Sequence, residues 1–386
     1  MAVDDRHPTF LLIMNISLYI ASGGSGDLIS AIALSEARND SALFSSVVWE
    51  RASLDPHVGP RGMNDIFGLA KESERRLISG KSFIPGGWSP LPQLVEETGI
   101  PVFYLDATLG STGVARQISD LCIAYSIDVV YLVDTGGDVI ASGREPGLRS
   151  PAIDTLLLAA CVESGMPSLV TVIGSGLDGE LTSTELASAK KELAPYSEEL
   201  LPDHIAGRTY SKLSWFPSEA SLMTLLAVGG VHGAVDIKSG IDPVRLDEKC
   251  AIATNYRTNK VAARNRMVDS IRGSKNFIDV DSALVRFGCT SELSKERKYD
   301  INRKSRLIKT ISKLDAEAIF DSVNTSATHI SLRRIGEILG ANKKSGLDSL
   351  DKILRSVLEN DYLKPILHLD TFRHMSKNCF SGEEKE

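Results

Sequence analysis

The residues best suited to chemistry are carboxylates set beside glycines. Asp134 and Asp138 flank Gly136-Gly137, directly after the β-branched apolar run Val129-Val130-Tyr131-Leu132-Val133. A polar cluster follows, Arg144-Glu145-Pro146-Gly147-Leu148-Arg149. Carboxylates so placed can hold Mg²⁺ through oxygen or move a proton as general acid or base. Arginines beside them can neutralise a phosphate. For a single loop of this kind a tight turn, with Asp138 as its side-chain cap, is the plainer reading.

The chain repeats the arrangement. Ser22-Gly23-Gly24-Ser25-Gly26-Asp27 lies between an apolar run and LISAIALSEA, which reads as a helix. Backbone N–H groups and a helix N-terminus there would make an anion cradle. Gly24 and Gly26 stand at the first two positions of a dinucleotide motif, and Ile29 at the third leaves it incomplete. Glu50-Arg51 follows about 20 residues on, where a dinucleotide fold carries its ribose-binding acid. Asp106-Ala107-Thr108 and Gly174-Ser175-Gly176-Leu177-Asp178-Gly179-Glu180 end two further apolar runs. The candidate catalytic residues are therefore Asp134, Asp138, Glu145 and Asp178. Candidate ligand contacts are Gly24, Gly26, Asp27, Glu50, Arg51, Gly136, Gly137, Arg144 and Arg149. Asp27, Asp134 and Asp138 are the candidate Mg²⁺ ligands. Arg61 and His232 are weaker candidates, read more simply as an exposed arginine and a loop or core histidine.

Strands alternating with helices must position these loops. The strands expected are Ile16–Ala21, Ser45–Trp49, Ile100–Leu105, the run ending at Asp134, and Leu169–Ile173. Helices follow at Gly113–Tyr125 and, with Pro151 in its first turn, at Ile153–Ser164; the latter is apolar all round and so buried. Thr182-Ser183-Thr184-Glu185 has capping-box spacing. Ser218–Gly229 reads as an apolar helix, Ala251–Tyr256 as a late strand and Lys260–Ile271 as a basic helix. This order predicts a Rossmann-like open, mainly parallel sheet with helices on both faces. All five loops would then leave one sheet edge and face one crevice. Residues 52–99, rich in Pro and Gly, would form a long loop over it.

Length favours two domains: a Rossmann-like domain at 1–300 and a small, mostly helical region at 301–386. In the latter, HISLRRIGEIL, LDSLDKILRSVL and DYLKPILHLD read as helix, helix, strand, half of a winged helix with Arg333, Arg334, Lys343 and Lys344 as candidate phosphate contacts. A helical packing or oligomerisation appendage is the plainer reading, since its 15 Lys and Arg against 12 Asp and Glu leave only net +3. The whole chain carries −7, which gives no reason to expect nucleic acid as a partner. Phe10–Ala21 is too short for a membrane span of about 20 residues and lacks the basic flank of a signal peptide. A strand from Ile16 is expected instead, with Met14 as an alternative start. Five scattered cysteines, with no CxxC, point to free thiols in a reducing, cytoplasmic compartment.

The Gly23–Asp27 loop with Ile29-Ser30-Ala31, Trp49-Glu50-Arg51, Val133–Pro151, Leu177–Leu181 and Thr290–Arg297 together resemble the family known as domain of unknown function 1152. The resemblance covers roughly residues 14 to 300. Asp-x-Gly-Gly-Asp and Arg-Glu-Pro-Gly-Leu-x-Ser-Pro are its most specific parts, and Ser25 stands where a glycine is expected. It implies an α/β fold and no particular reaction. Three function classes remain. One is an enzyme, a hydrolase or group transferase, acting on a nucleotide or other phosphorylated metabolite with loop carboxylates and Mg²⁺. The alternative is a non-catalytic nucleotide-binding sensor whose C-terminal region contacts a partner or a second copy. A third is a structural subunit whose glycine loops are only turns.

Overall fold

The computed structural model describes residues 16–70, 76–238, 240, 242–299, 305–358 and 362–380, with side chains as far as 374. The proposed start at Met14 and the role of Phe10–Ile13 lie outside the described residues.

The first half of the chain alternates as the sequence predicts. β1 (Ile16–Ala21) leads to α1 (Leu28–Arg38), and β2 (Ser41–Ser46) to the single turn α2 (Arg51–Leu54). The short edge strand β3 (Leu77–Ile78) precedes α3 (Leu91–Thr98). β4 (Val102–Tyr104) leads to α4 (Gly110–Tyr125), β5 (Val129–Thr135) to α5 (Pro151–Ser164), and β6 (Ser168–Ile173) to α6 (Ser183–Leu193). β7 (Ser197–Leu200), α7 (Asp203–Leu213) and α8 (Glu219–Val228) follow. The hairpin of β8 (Gly233–Asp236) and β9 (Val244–Leu246) comes next, then β10 (Ile252–Arg257).

The sheet order is β3-β4-β2-β1-β5-β6-β10-β7. Pairings β4–β2, β2–β1, β1–β5 and β5–β6 are parallel, while β3, β10 and β7 join antiparallel. The chain winds outward from β1 through β2 to β4 and, in the other direction, from β5 to β6. The strand order therefore reverses between β1 and β5, and a doubly wound sheet opens its ligand crevice there. The fold is Rossmann-like α/β.

Side chains of β1 alternate between two cores, as a period of two requires. Leu18 and Ile20 pack with α4 and α5, and Tyr19 and Ala21 with α1 and α8. α5 is buried along nearly its whole length, because helices cover it on the side away from the sheet. These are α9 (Thr258–Arg264), α10 (Met267–Ile271) and α11 (Phe277–Phe287). The expected single helix Lys260–Ile271 is thus two. Asn265 leaves helical geometry, and its Oδ1 accepts from the Met267 N–H at 3.1 Å, capping the second piece. The second strand sits earlier than expected, at Ser41–Ser46. Pairing with β1 ends at Ser45 opposite Ile20, and Val47–Glu50 run past the sheet toward the crevice.

α12 (Glu292–Lys298) closes the first part of the chain. The C-terminal region then forms α13 (Lys313–Ser322), β11 (His329–Ser331), α14 (Leu332–Ile338), α15 (Lys344–Leu358), β12 (Ile366–His368) and α16 (Leu369–Phe380). Its first expected helix is preceded by a strand, so HIS is β11. β12 and β11 continue through β8 to β9 as a second sheet. β11 pairs parallel with β8, opposing His329 to Val235 and Ile330 to Asp236. This sheet draws strands from both sides of residue 300. No helix among the described residues is long and apolar enough to cross a membrane.

Candidate functional site

A cleft of about 360 Å³ opens at the reversal between β1 and β5. Eight carboxylates and four cationic side chains line it. Four of the five expected loops reach it: those after β1, β2, β5 and β6. The fifth does not. Asp106 follows β4, beyond β2, and its carboxylate caps its own turn, accepting from the N–H groups of Thr108 and Met63.

Asp134 is the penultimate residue of β5, and Asp138 follows the glycine pair. The third carboxylate of this group is Asp154, in the first turn of α5. One oxygen from each of Asp134, Asp138 and Asp154 lies within 4.8 Å of the others. All three are buried, at 2%, 8% and 3% exposure. Burial, and after it the charge of Asp154, push the carboxyls of Asp134 and Asp138 well above the carboxylate range. Burial holds Asp154 at about 7, the neighbouring Glu180 adding to the effect and the Ser22 hydroxyl and Arg51 opposing it. Three carboxylates cannot all ionise at that spacing without a cation or protons between them. Oxygen donors in such a group suit a hard divalent ion.

Asp27 faces the triad from the loop after β1, with its carboxyl raised to about 7 by burial and by the charge of Asp154. It is not within the three-oxygen group. Its Oδ2 accepts from the Gly23 N–H at 2.7 Å. That contact changes the expected anion cradle: a carboxylate of the chain already occupies an N–H of the glycine loop. A phosphate approaching here meets negative charge unless a cation stands between. Gly26 does line the cleft, and a Cβ there would come 3.1 Å from Ser218 Oγ at the start of α8. Gly24 takes φ +110°, a turn conformation that favours glycine.

Glu50 lies on the cleft wall, buried and raised to about 7 by burial. It accepts from Ser25 Oγ at 2.6 Å and Ser89 Oγ at 2.8 Å. Arg51 stacks on Trp49, 3.9 Å from the ring centroid, and pairs with Glu292 at 2.6 Å. α12 organises this whole side. Glu292 also accepts from the Ala152 N–H, and Glu296 accepts from the Trp49 indole and the Gly59 N–H.

Several expected contacts are not at the cleft. Gly136 and Gly137 allow close packing of protein on protein. A Cβ at Gly136 would run into the Asp178 carboxyl, and one at Gly137 would come 2.9 Å from Leu186. Glu145 turns back on its own loop and accepts from the N–H groups of Ser142, Gly143 and Arg144. Despite partial burial, those bonds hold its carboxyl below the usual range. Glu145 is thereby a turn lock, and Arg144 is exposed beside it. Arg61 is buried in a two-bond pair with Asp55. His232 is exposed and away from the cleft.

Arg149 does line the cleft, its guanidinium donating to the carbonyls of Gly179 and Asp178. Asp178 also lines it. Its Oδ1 accepts from the Glu180 N–H at 2.9 Å, and burial raises its carboxyl to about 7. Glu180 accepts from the N–H groups of Arg149 and Ser150, fixing the approach to α5.

Among the charged cleft residues, Asp154, Glu180, Glu219 and Lys238 are absent from the sequence-based candidates, and Arg333 is expected only as a phosphate contact of a winged helix. Asp154 left a signal: it is the one acid near the start of the apolar helix PAIDTLLLAAC. Nothing in the local sequence puts Lys238 or Arg333 at the cleft, since the second sheet brings them there. Arg333 is anchored there by its N–H on Glu219 Oε1 at 2.7 Å and its guanidinium on the Pro217 carbonyl at 2.6 Å.

No curated protein and no solved structure matched the chain. A family model described as protein of unknown function (DUF1152) matches residues 18–300. That match contains most of β1, the four cleft loops and α12, and on it the chain belongs to the DUF1152 family.

Proposed function

We propose that the chain is an enzyme that binds a phosphorylated metabolite across a divalent cation and catalyses hydrolysis or group transfer. The observation that carries this reading is the triad Asp134, Asp138 and Asp154, buried in a crevice that also exposes Arg149, Lys238 and Arg333. Carboxylates alone would repel a phosphate, and cationic side chains alone would need no acidic floor. The two together fit a cation bridging carboxylate and phosphate oxygens, with the basic groups on the outer oxygens. Mg²⁺ is the ion chemically suited to that bridge. Asp27 and Asp178 are the nearby carboxyls held at about 7, where a group exchanges protons readily at neutral pH. The buried free thiols Cys122, Cys161 and Cys250 fit a reducing compartment, and we place the chain in the cytoplasm.

A sensor that binds without turnover is the second reading, favoured by one observation. Arg333 belongs to the C-terminal region yet lines the cleft, so ligand occupancy and the placement of that region are physically linked. The test is phosphate release from a panel of nucleoside and sugar phosphates with Mg²⁺, in wild type and Asp138→Asn. Release by wild type alone supports the enzyme. Saturable binding without release selects the sensor, and absence of both removes the phosphorylated ligand.

A further inference from the structure

Beside the acidic cleft lies a second cavity, of about 330 Å³, with a different chemistry. Among its lining residues, Trp88 and Trp215 come from the part of the chain the family model covers. Leu332, Leu347 and Pro365 come from the C-terminal region beyond it. Lys344 bridges the two, its Nζ 4.6 Å from the Trp88 ring centroid. Leu54, Pro217, Ser218, Glu219 and Arg333 line both cavities, so they lie side by side with Arg333 between them. Each is within the size range of small-molecule sites, about 300–1,000 Å³.

Resting on the phosphorylated-ligand reading above, we propose that the second cavity holds a nucleobase and that the ligand is a nucleotide. Its phosphates meet the cation at Asp134, Asp138 and Asp154, and its ring lies against Trp88 and Trp215. A base has two apolar faces and a polar edge. The cavity offers aromatic and aliphatic walls, with the Lys344–Asp348 and Lys364–Asp351 pairs at 2.6 and 3.4 Å supplying polar groups around them. A bare sugar phosphate would leave the indoles unused, and an aliphatic tail would have no use for the charged pairs. Stacking on an aromatic side chain favours a nucleotide over a bare polyphosphate, because every base has a π-face. The C-terminal region then forms part of the ring pocket, so selection among bases resides partly outside the family-matched segment.

The experiment is calorimetric titration of the full chain with ATP, GTP, CTP, UTP and tripolyphosphate, all with Mg²⁺. At least one nucleotide is expected to bind tenfold or more tightly than tripolyphosphate. Trp88→Ala should remove that advantage and leave tripolyphosphate affinity unchanged. Photolabelling of wild type with 8-azido-ATP gives a reading that needs no variant, with crosslinks expected at Trp88, in 215–222 or in 332–365. Equal affinity for nucleotides and tripolyphosphate, an advantage that survives Trp88→Ala, or crosslinks elsewhere overturns the base pocket alone. Binding of none of the five compounds to wild type overturns the phosphorylated-ligand reading as well.

Discussion

Ser22 Oγ donates a 2.6 Å hydrogen bond to Asp154 Oδ1. The bond ties the loop after β1 to the first turn of α5, across the point where the strand order reverses. It also fixes the orientation of one carboxylate of the triad, since the other groups near Asp154 on the cleft wall are mostly acids that repel it. Arg51 is the cation that eases its ionisation.

That arrangement makes Asp154 costly to the empty protein. Asp154→Asn keeps an oxygen for Ser22 and removes the charge. At pH 8 with EDTA the variant should melt roughly 1 °C above wild type, the equivalent of about 1 kcal/mol for a chain of this length. Addition of Mn²⁺ should raise the melting temperature of wild type and not of the variant. A variant less stable than wild type in EDTA would show that the carboxylate is held by partners and not strained by neighbours.

Stability should also depend on pH in an unusual direction. Asp27, Glu50, Asp154 and Asp178 have folded-state values near 7 against ordinary values of 3.8 to 4.5. Groups so raised bind protons more tightly in the folded chain. Their contribution is fully present below the unfolded values and is lost as pH rises toward 7. Glu145, Glu198, Glu199 and Asp315 are lowered and act oppositely, but only as pH falls below the ordinary carboxylate range. Within the window only His329, lowered by burial to about 4, acts oppositely among these groups, and the four raised carboxyls outnumber it. With EDTA the protein should therefore melt higher at pH 5.5 than at pH 8. Divalent ions should stabilise it more at pH 8, because they compete with the protons. A melting temperature that climbs from pH 5.5 to 8 in EDTA would contradict the raised carboxyls.

Gly136 tests the packing of the loop. Gly136→Ala puts a Cβ at φ +131° and into the Asp178 carboxyl, and should cost about 2–4 kcal/mol in denaturant unfolding. Gly86→Ala has a positive φ too, +67°, but nothing within 4 Å of the new atom. It should cost only about 1 kcal/mol. Equal losses would assign the Gly136 effect to backbone strain alone.

The parts of the site legible in the sequence were those carried by local pattern. Apolar runs breaking into Gly and Asp gave the sheet and four of the cleft loops, because strand periodicity and turn chemistry are short-range properties. Two kinds of error remained. Glu145 looked catalytic and Gly136-Gly137 looked like ligand contacts, but a carboxylate can equally lock its own turn, and a glycine pair can equally admit a neighbouring side chain. Asp154 and Lys238 were missed for the opposite reason, and Arg333 was expected on a nucleic-acid face and not at the cleft. A helix start and a second sheet bring them in from distant segments, and no local spacing records that.

Asp138 tests the ligand role, because the side chain that accepts in its turn is Asp134, whose Oδ2 takes the Val139 N–H at 3.2 Å. Asp138→Asn should melt within about 1 kcal/mol of wild type, since the amide keeps the shape of the carboxylate. It should lose Mn²⁺-dependent stabilisation and any turnover. Retention of both would remove Asp138 from the site and leave the loop as a structural turn.

The most direct measurement is titration of Mn²⁺ into the full chain at pH 8, followed by electron paramagnetic resonance, which separates free from bound ion. Wild type should take up one ion per chain at a saturable site. Asp134→Asn, Asp138→Asn and Asp154→Asn should each weaken that site at least tenfold while keeping a cooperative melt. No saturable uptake by wild type, or uptake that all three variants retain, would contradict a cation held by these carboxylates.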